Sequence, residues 1–239
     1  MGTISVIIPA INEEKCISTA LESLKKQTCK NFETIVKDGK STDRTVEIAE
    51  EYTNNVISCK DVSVGQARNQ GAEKSSGDIL VFMDADSEPQ PNTLEKIGKR
   101  FEEYSPSLLI PRYVPKKEIL ENNGKLVQFP RPLNMTWSKI ENFLTAKLMR
   151  YAAGMFMACD KASFEKVGGF NEKLKVCEDQ DISYRLKKVG KVIYDGSIEV
   201  GFSLRRYAEL GLPRTVYNYS INSMNLLLGL EQSKHPMIR

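Results

Sequence analysis

The chain has 239 residues, of which 41% are hydrophobic and 27% are charged. This composition is typical of a globular protein and excludes a disordered or collagenous chain. Its 34 basic and 31 acidic residues leave a net charge of +3, which is too small to indicate a nucleic-acid surface, so we expect no nucleic-acid partner. No stretch of the sequence approaches the roughly 20 apolar residues that a membrane span needs.

The five cysteines are odd in number, and no two have the two-residue gap of a zinc or redox motif. A reducing compartment is the simplest interpretation. The N-terminal apolar run at 3–9 has no basic stretch before it and no small-residue cleavage site, so we interpret it as a strand and not as a signal peptide. We therefore expect a cytoplasmic protein.

Short apolar runs alternate with helical patterns through the first half of the chain. Strands are predicted at 4–9, 32–37, 55–58 and 79–83, and helices at 12–27, 42–52 and 64–74. The run at 79–83 is apolar on both faces, as expected for a central strand of a parallel sheet. This alternation predicts an α/β protein with a doubly wound, mostly parallel sheet flanked by helices.

After about residue 105 the pattern loosens. Prolines at 106, 111, 115, 130 and 132 and the polar stretch at 116–125 predict a loop-rich subdomain. Further helices are predicted at 134–150, 178–188 and 214–230, and strands at 154–158 and 191–194. Trp137 lies at helical spacing with apolar neighbours and is expected in the core, with stacking on a sugar as the alternative.

Asp84 and Asp86 follow the buried run at 79–83. Side chains two residues apart on a strand point to the same side, so both carboxylates can address one point. Carboxylates completed by substrate phosphates are the usual ligands of Mg²⁺ or Mn²⁺, and open α/β sheets bind ligands at this end of their strands. The alternative is that these acids only build the turn in which the strand ends.

Two further acidic clusters also lie at element ends. Asp38 stands where the second strand ends, so we expect it near the crevice of Asp84 and Asp86. Neither dinucleotide nor P-loop glycine motifs occur. Acids at 178, 179 and 181 open a helix, where they complement its dipole; one of them is also a candidate general base.

These clusters, in this order, resemble the family 2 nucleotide-sugar glycosyltransferases, whose catalytic domain has the GT-A fold. The similarity covers about 3–200 and rests on six segments. They are the strand and turn that end in Pro9-Ala10-Ile11-Asn12-Glu13, then Asp38, Gly65-Gln66-Ala67-Arg68-Asn69-Gln70-Gly71, Asp84-Ala85-Asp86, Gly168-Gly169-Phe170-Asn171-Glu172, and Glu178-Asp179.

The resemblance implies a role for each segment. The turn with Pro9, Ala10, Asn12 and Glu13 would lie against the base and ribose of the donor, Asp38 would contact the base, and Gly65 and Arg68 would face the base and diphosphate. Asp84, Ala85 and Asp86 would bind the diphosphate with Mn²⁺ or Mg²⁺, and Asp179 would be the catalytic base.

The resemblance also implies an inverting transfer from a nucleotide-sugar donor to a glycan or lipid-linked acceptor. A catalytic domain at 1–200 would have a nucleotide-binding half at about 1–105 and an acceptor half at about 106–200, followed by a C-terminal helical extension at 201–239. Gly39 stands where many relatives carry a second Asp, which leaves a UDP-sugar favoured and a GDP-sugar as the alternative. His235 is a weak candidate for an additional metal ligand.

Other classes of protein remain alternatives. A phosphohydrolase also places Asp-x-Asp after an apolar strand, but it needs Thr or Val where this chain has Glu88. A sugar-phosphate nucleotidyltransferase would open with a Gly-rich loop, which Pro9 to Glu14 does not provide. An inactive fold that only binds carbohydrate or nucleotide is the non-enzymatic alternative.

The predicted C-terminal helix is amphipathic. Its apolar side carries Tyr217, Ile221, Met224 and Leu228, and its opposite side carries Asn218, Asn222 and Asn225. Such a stripe usually packs on its own domain or on a second copy of the chain. With Arg205, Arg206 and Arg214 ahead of it, peripheral contact with an anionic membrane is a further interpretation.

Overall fold

The computed structural model describes residues 2–58, 63–116, 120–122, 125–127 and 151–230. The first half contains β1 (Ile4–Ala10), α1 (Ile17–Lys25), β2 (Phe32–Asp38), α2 (Thr45–Glu50), β3 (Val56–Ser58), α3 (Val64–Lys74), β4 (Ile79–Met83), β5 (Glu88–Pro89) and α4 (Thr93–Tyr104). The second half contains β6 (Leu108–Pro115), β7 (Leu120–Asn122), β8 (Lys125–Val127), β9 (Phe156–Asp160), α5 (Lys161–Lys166), α6 (Glu178–Val189), β10 (Val192–Phe202), α7 (Arg205–Leu210) and α8 (Leu212–Leu228).

Eight strands form one sheet in the order β3-β2-β1-β4-β9-β6-β10-β5. The strands from β3 to β4 are mutually parallel, β9 is antiparallel to both of its neighbours, and β10 is parallel to β6. Every residue of β4 is at most 4% exposed, because both faces of this central strand are covered. The predicted α/β fold with a mostly parallel sheet is confirmed.

Two helices begin later than predicted. The helix predicted from residue 12 begins at Ile17, because Asn12 has a left-handed backbone with a φ of 53° and belongs to a turn. The helix predicted from residue 42 begins at Thr45, after a loop fixed by side-chain hydrogen bonds of Asp43. Both shifts lengthen the loops at the carboxyl edge of the sheet.

The region predicted as loop-rich contains regular structure. Residues Leu108–Pro115 form β6, although this strand includes two prolines. β7 and β8 pair as a short antiparallel hairpin. The strand predicted at 191–194 continues to Phe202 through a change of register between Asp195 and Glu199. The helix predicted at 134–150, with Trp137, lies outside the described residues.

The C-terminal helix α8 turns its polar side inward. Asn222 is fully buried, whereas Tyr217, Met224 and Leu228 are 66%, 51% and 63% exposed. Three of the four residues of the apolar stripe therefore face outward and do not pack on this chain, which was one of the two arrangements that the sequence favoured. In the part of the chain that the structure describes, no helix is both long enough and apolar enough to cross a membrane.

Candidate active site

Three strands end side by side at the carboxyl edge of the sheet. β2, β1 and β4 are parallel neighbours. Pro9 and Ala10 end β1, and Ala10 pairs with Asp38, the last residue of β2. Asp84 directly follows β4. The structure thus brings the first two acidic clusters to the edge where open α/β sheets bind ligands.

The turn after β1 is tied to the loop after β2. The backbone N–H of Asn12 donates to Ser41 Oγ at 2.8 Å, and Asn12 Oδ1 accepts from the backbone N–H of Thr42 at 2.8 Å. The backbone N–H of Glu13 donates to Thr45 Oγ1 at 2.7 Å. Asn tolerates the left-handed conformation better than most residues, which explains its place in this turn.

Asp38 holds the loop that follows β2. Its side chain is almost fully buried and accepts hydrogen bonds from the backbone N–H groups of Lys40 at 3.0 Å and Ser41 at 3.1 Å. The Ser58 hydroxyl donates to it at 3.3 Å. Asp38 therefore shapes the loop opposite the Asn12–Glu13 turn, and its contact with a nucleotide base stays a prediction.

Arg68 on α3 connects two of the acidic clusters. Its side chain is 2% exposed. Nη2 donates to Asp84 Oδ1 at 2.9 Å and to the carbonyl of Gly154 at 2.8 Å, while Nη1 donates to Glu178 Oε1 at 2.7 Å. The guanidinium also lies over the Phe170 ring, 5.3 Å from its centroid. Arg68 thus joins the turn after β4 to the first turn of α6.

Asp179 lies beside the same backbone segment. Its Oδ2 accepts from the backbone N–H of Gly154 at 2.6 Å, and its Oδ1 from that of Gln180 at 2.8 Å. A Cβ on Gly154 would lie 3.1 Å from Arg68 Nη2 and 3.3 Å from Asp179 Oδ2, so a side chain there would crowd both groups. Burial and the neighbouring Glu178 raise the pKa of Asp179 to about 7, against the opposing effect of Arg68. A carboxylate with a pKa near neutrality suits a general base.

The turn that carries Asp84 and Asp86 is fixed to the segment before β9. The carbonyl of Met155 accepts from the backbone N–H of Asp84 at 3.0 Å and from Ser87 Oγ at 2.7 Å. Ala85 between the two acids is buried. The acids do build a turn, as the alternative interpretation expected, but this turn presents both carboxylates to arginine side chains.

The partner of Asp86 comes from the C-terminal part of the chain. Arg205 Nη2 lies 3.4 Å from Asp86 Oδ2, and the same guanidinium contacts Glu13 at 2.9 and 3.2 Å. The sequence grouped Arg205 with arginines that could face a membrane, whereas the structure places it between two acids of the site. No local pattern signals this contact, since 119 residues separate Arg205 from Asp86.

A second link joins α3 to the Gly-Gly-Phe-Asn-Glu segment. Asn69 Nδ2 donates to the carbonyl of Phe170 at 2.9 Å and to Glu172 Oε1 at 3.0 Å, and Asn69 Oδ1 accepts from the backbone N–H of Phe170 at 2.8 Å. Gly65 packs against Phe170 as well, because a Cβ there would lie 3.4 Å from the Phe170 Cβ. The α3 segment at 65–71 and the Gly-Gly-Phe-Asn-Glu segment at 168–172 are therefore hydrogen-bonded to each other.

Asp84 and Asp86 supply carboxylate oxygens, which Mn²⁺ and Mg²⁺ prefer. Among the residues that the structure describes, no group of three or more His, Cys, Asp or Glu side chains could hold a metal ion. By their chemistry two carboxylates suit a cation whose remaining ligands come from a bound diphosphate, but in this structure Asp84 and Asp86 each contact an arginine, so the metal site stays a prediction. His235 lies outside the described residues.

Comparison with known proteins gives a family. A model described as "Glycosyl transferase family 2" matches residues 5–168. An uncharacterized glycosyltransferase of Haemophilus influenzae is 32% identical over 187 residues, which cover 77% of this chain and 61% of the relative. A PGL/p-HBAD biosynthesis glycosyltransferase of Mycobacterium tuberculosis is 27% identical over 188 residues, 76% of this chain and 68% of the relative. The chain thus spans about two thirds of the length of these relatives.

Solved structures share the fold. TarS of S. aureus (residues 1–349) in complex with UDP-GlcNAc matches with a TM-score of 0.66 at 23% identity, over 84% of this chain and 58% of that one. A mannosyltransferase from Pyrobaculum calidifontis in complex with GDP-Man and Mn²⁺ matches with a TM-score of 0.72 at 16% identity, over 98% and 66%. The predicted GT-A fold is confirmed.

Proposed function

Because the chain belongs to glycosyl transferase family 2, we propose that it moves a sugar from a nucleotide diphosphate sugar to an acceptor hydroxyl, with inversion at the anomeric carbon. One observation carries this proposal. Arg68 bonds both Asp84 and Glu178, which sets the Asp-x-Asp turn beside Asp179. The structures solved with UDP-GlcNAc and GDP-Man support a nucleotide-sugar donor; a UDP-sugar is favoured and a GDP-sugar is the alternative.

The donor would lie along the carboxyl edge of β1, β2 and β4. Asp84 and Asp86 would hold Mn²⁺ or Mg²⁺, which when bound neutralises charge on the diphosphate leaving group. The base, ribose and diphosphate would lie against the residues that the resemblance names for the donor, which are Pro9, Ala10, Asn12, Glu13, Asp38, Gly65, Arg68 and Ala85.

Asp179 would receive the proton of the acceptor hydroxyl. Its pKa near 7 leaves a substantial fraction ionised at neutral pH, and the N–H groups of Gly154 and Gln180 orient both of its oxygens. Glu178 next to it is already paired with Arg68. Asp179 is therefore the better candidate of the two for the base.

The acceptor would be a glycan or a lipid-linked group. The exposed apolar stripe of α8 supports contact with a membrane surface, with a second copy of the chain as the alternative occupant. The cytoplasmic location stays a prediction from the sequence.

The test is release of the nucleotide from candidate donors. Incubation with UDP- and GDP-sugars and Mn²⁺ should release UDP or GDP through donor hydrolysis, which a binding-only protein would not do.

Asp86→Ala should weaken Mn²⁺-dependent nucleotide binding, and Asp179→Asn should abolish transfer while sparing that binding. Asp78→Asn, at an exposed position before β4, is the matched control. Normal turnover by Asp179→Asn would refute the base assignment, and unchanged nucleotide affinity in Asp86→Ala would count against the metal site.

A further inference from the structure

The guanidinium of Arg205 lies between two acidic side chains on the donor side of the site. Arg205, Glu13 and Asp86 are 22%, 15% and 21% exposed. Ions that are this far removed from water require nearby opposite charge, because their hydration is largely lost. Arg205 supplies that charge to Glu13 and Asp86.

The contacts of Arg205 with the two carboxylates are unequal. Glu13 binds the guanidinium through both of its oxygens, at 2.9 and 3.2 Å, which is the forked geometry of a strong arginine–carboxylate pair. Asp86 Oδ2 lies 3.4 Å from Arg205 Nη2, which is longer than the usual 2.7–2.9 Å of such contacts. The contact with Asp86 is therefore the weaker of the two, and its loss would leave the pair of Arg205 with Glu13 in place.

The neighbouring structure keeps Arg205 close to this position. The backbone N–H of Arg205 donates to Ser203 Oγ at 3.1 Å, and Leu204 before it is buried. Lys116 is another cation of this region, but its Nζ pairs with Glu88 at 3.6 Å. Arg205 begins α7, so the contact links the C-terminal helices to the turn after β4.

We propose that Arg205 is a competing counter-ion that occupies Asp86 until this carboxylate binds a divalent cation. The inference rests on the proposed function, in which Asp86 is a cation ligand. Two cations that require the same carboxylate oxygen weaken each other's binding by the same factor. Arg205 therefore lowers the affinity of the site for Mn²⁺, and binding of Mn²⁺ to Asp86 frees one side of the guanidinium at the start of α7.

The test measures binding of Mn²⁺ alone to the full chain, without nucleotide or activity. The paramagnetic resonance signal of unbound Mn²⁺ is titrated for the wild type, Arg205→Gln and Arg205→Lys. Arg205→Gln should bind Mn²⁺ at least about fivefold more tightly, the lower end of typical coupling between sites. Arg205→Lys, which keeps the charge but loses the fork, should lie between the two.

Two further variants separate the possible failures. Arg112→Gln removes a comparable arginine from its 3.0 Å pair with Glu199 outside the site, and it should bind Mn²⁺ as the wild type does. Asp86→Asn should lose Mn²⁺ binding in the Arg205→Gln background. Wild-type affinity in Arg205→Gln, or no binding in either protein, overturns the inference. If binding does not depend on Asp86, the metal site of the proposed function is wrong as well.

Hydrogen exchange supplies a readout that does not depend on affinity. Mn²⁺ should speed backbone exchange at the start of α7 in the wild type, because Arg205 then loses its contact with Asp86. The increase should be absent in Asp86→Asn. Unchanged exchange of α7 at saturating Mn²⁺ in the wild type would contradict the proposed release.

Discussion

Arg68 balances acidic charge inside the protein. Its side chain is 2% exposed and forms ion pairs of 2.9 Å with Asp84 and 2.7 Å with Glu178. Arg68 Nε is buried and has no hydrogen-bond partner among the described residues, and the guanidinium is held by its two terminal nitrogens. Removal of one partner from a buried ion pair usually costs more than the pair itself contributes, because the remaining charge is left uncompensated.

Arg68→Met should therefore destabilise the fold. It would leave the carboxylates of Asp84 and Glu178 close to Asp179 with no cation between them, and we expect the free energy of unfolding in urea to fall by about 3 kcal/mol. Arg44→Met is the matched control, since Arg44 and Glu47 form a pair of similar length whose side chains are 65% and 62% exposed. Exposed pairs contribute little, so that variant should unfold at the wild-type urea concentration. Equal effects of the two changes would contradict the role given to Arg68.

The raised pKa of Asp179 predicts how stability depends on pH. The pKa rises from 3.8 to about 7 on folding. As the pH is raised, Asp179 therefore loses its proton at a lower pH in the unfolded chain than in the folded protein. The contribution of Asp179 is therefore full below about pH 4 and is lost as the pH rises to about 7. Relative to Asp179→Asn, the wild type should lose on the order of 2 kcal/mol of unfolding free energy between about pH 4 and pH 8.

A control with the opposite shift isolates this effect. Hydrogen bonds from Ser197 and Arg100 outweigh burial and lower the pKa of Asp195, so its contribution to stability is present above the unfolded pKa and is lost only in more acidic solution. The stability difference between the wild type and Asp195→Asn should stay constant from about pH 5 to pH 8. A constant difference for Asp179→Asn over the same range would contradict the raised pKa.

At the scale of elements, the loop before α6 is positioned by its glycines and by α3. Gly168 and Gly169 both have left-handed backbones, with φ of 78° and 68°. A Cβ at 168 would meet no atom within 4 Å, but a Cβ at 169 would lie 2.7 Å from Asn69 Oδ1. The same oxygen accepts the backbone N–H of Phe170, so crowding at 169 acts on the link between α3 and the loop.

The two alanine variants should separate strain from crowding. Gly168→Ala should cost about 1 kcal/mol in unfolding free energy, because a side chain disfavours the left-handed backbone. Gly169→Ala should cost about 1 kcal/mol more than that, because it also displaces Asn69 from its hydrogen bonds. Urea unfolding of both proteins measures the difference. Equal losses would show that Asn69 does not hold the loop.

Elements with a complete local signal were predicted within a residue. α3 begins at the capping box of Ser63 and Gln66, and β4 is a continuous apolar run. The start of α3 and both ends of β4 could therefore be read from the sequence. β6 was missed because Pro111 and Pro115 argue against a strand. β6 pairs with β9 only through Leu108 and Leu109. Pro111 and Pro115 lie beyond these two residues, so their lack of an N–H group removes no hydrogen bond to β9.

For the whole molecule, the sequence could place the acids but not their partners. Asp38 and Asp84 lie at strand ends, and parallel strands bring their ends to one edge, so their proximity was predictable. The ion pair between Asp84 and Arg68 depends on how α3 packs against the sheet, and the hydrogen bond from Gly154 to Asp179 depends on how α6 does; no local pattern specifies either packing. The same holds for Arg205, whose contacts join distant parts of the chain.

The direction of α8 was also not predictable from its periodicity. A stripe of apolar residues indicates that one side of a helix is buried, but it does not say by what. Here the buried side includes Asn222, and Gln180 of α6 donates from Nε2 to Ser223 Oγ at 2.8 Å. The contact between Gln180 and Ser223 attaches α8 to α6, and Tyr217, Met224 and Leu228 face outward.

The exposed stripe predicts binding to anionic membranes. Met224→Ser with Leu228→Ser should reduce co-sedimentation with vesicles of phosphatidylcholine and phosphatidylglycerol by about tenfold or more, because burial of each side chain in lipid is worth about 1.5 kcal/mol or more. Arg214 is exposed beside the stripe and is attracted to anionic lipid. Binding to vesicles of phosphatidylcholine alone, which carry no net charge, should therefore be weaker. Tyr104→Ser, at a 42% exposed aromatic on α4, should bind as the wild type does. A wild-type dimer in light scattering that the double variant converts to a monomer, without vesicle binding by either, would assign the stripe to a second copy of the chain.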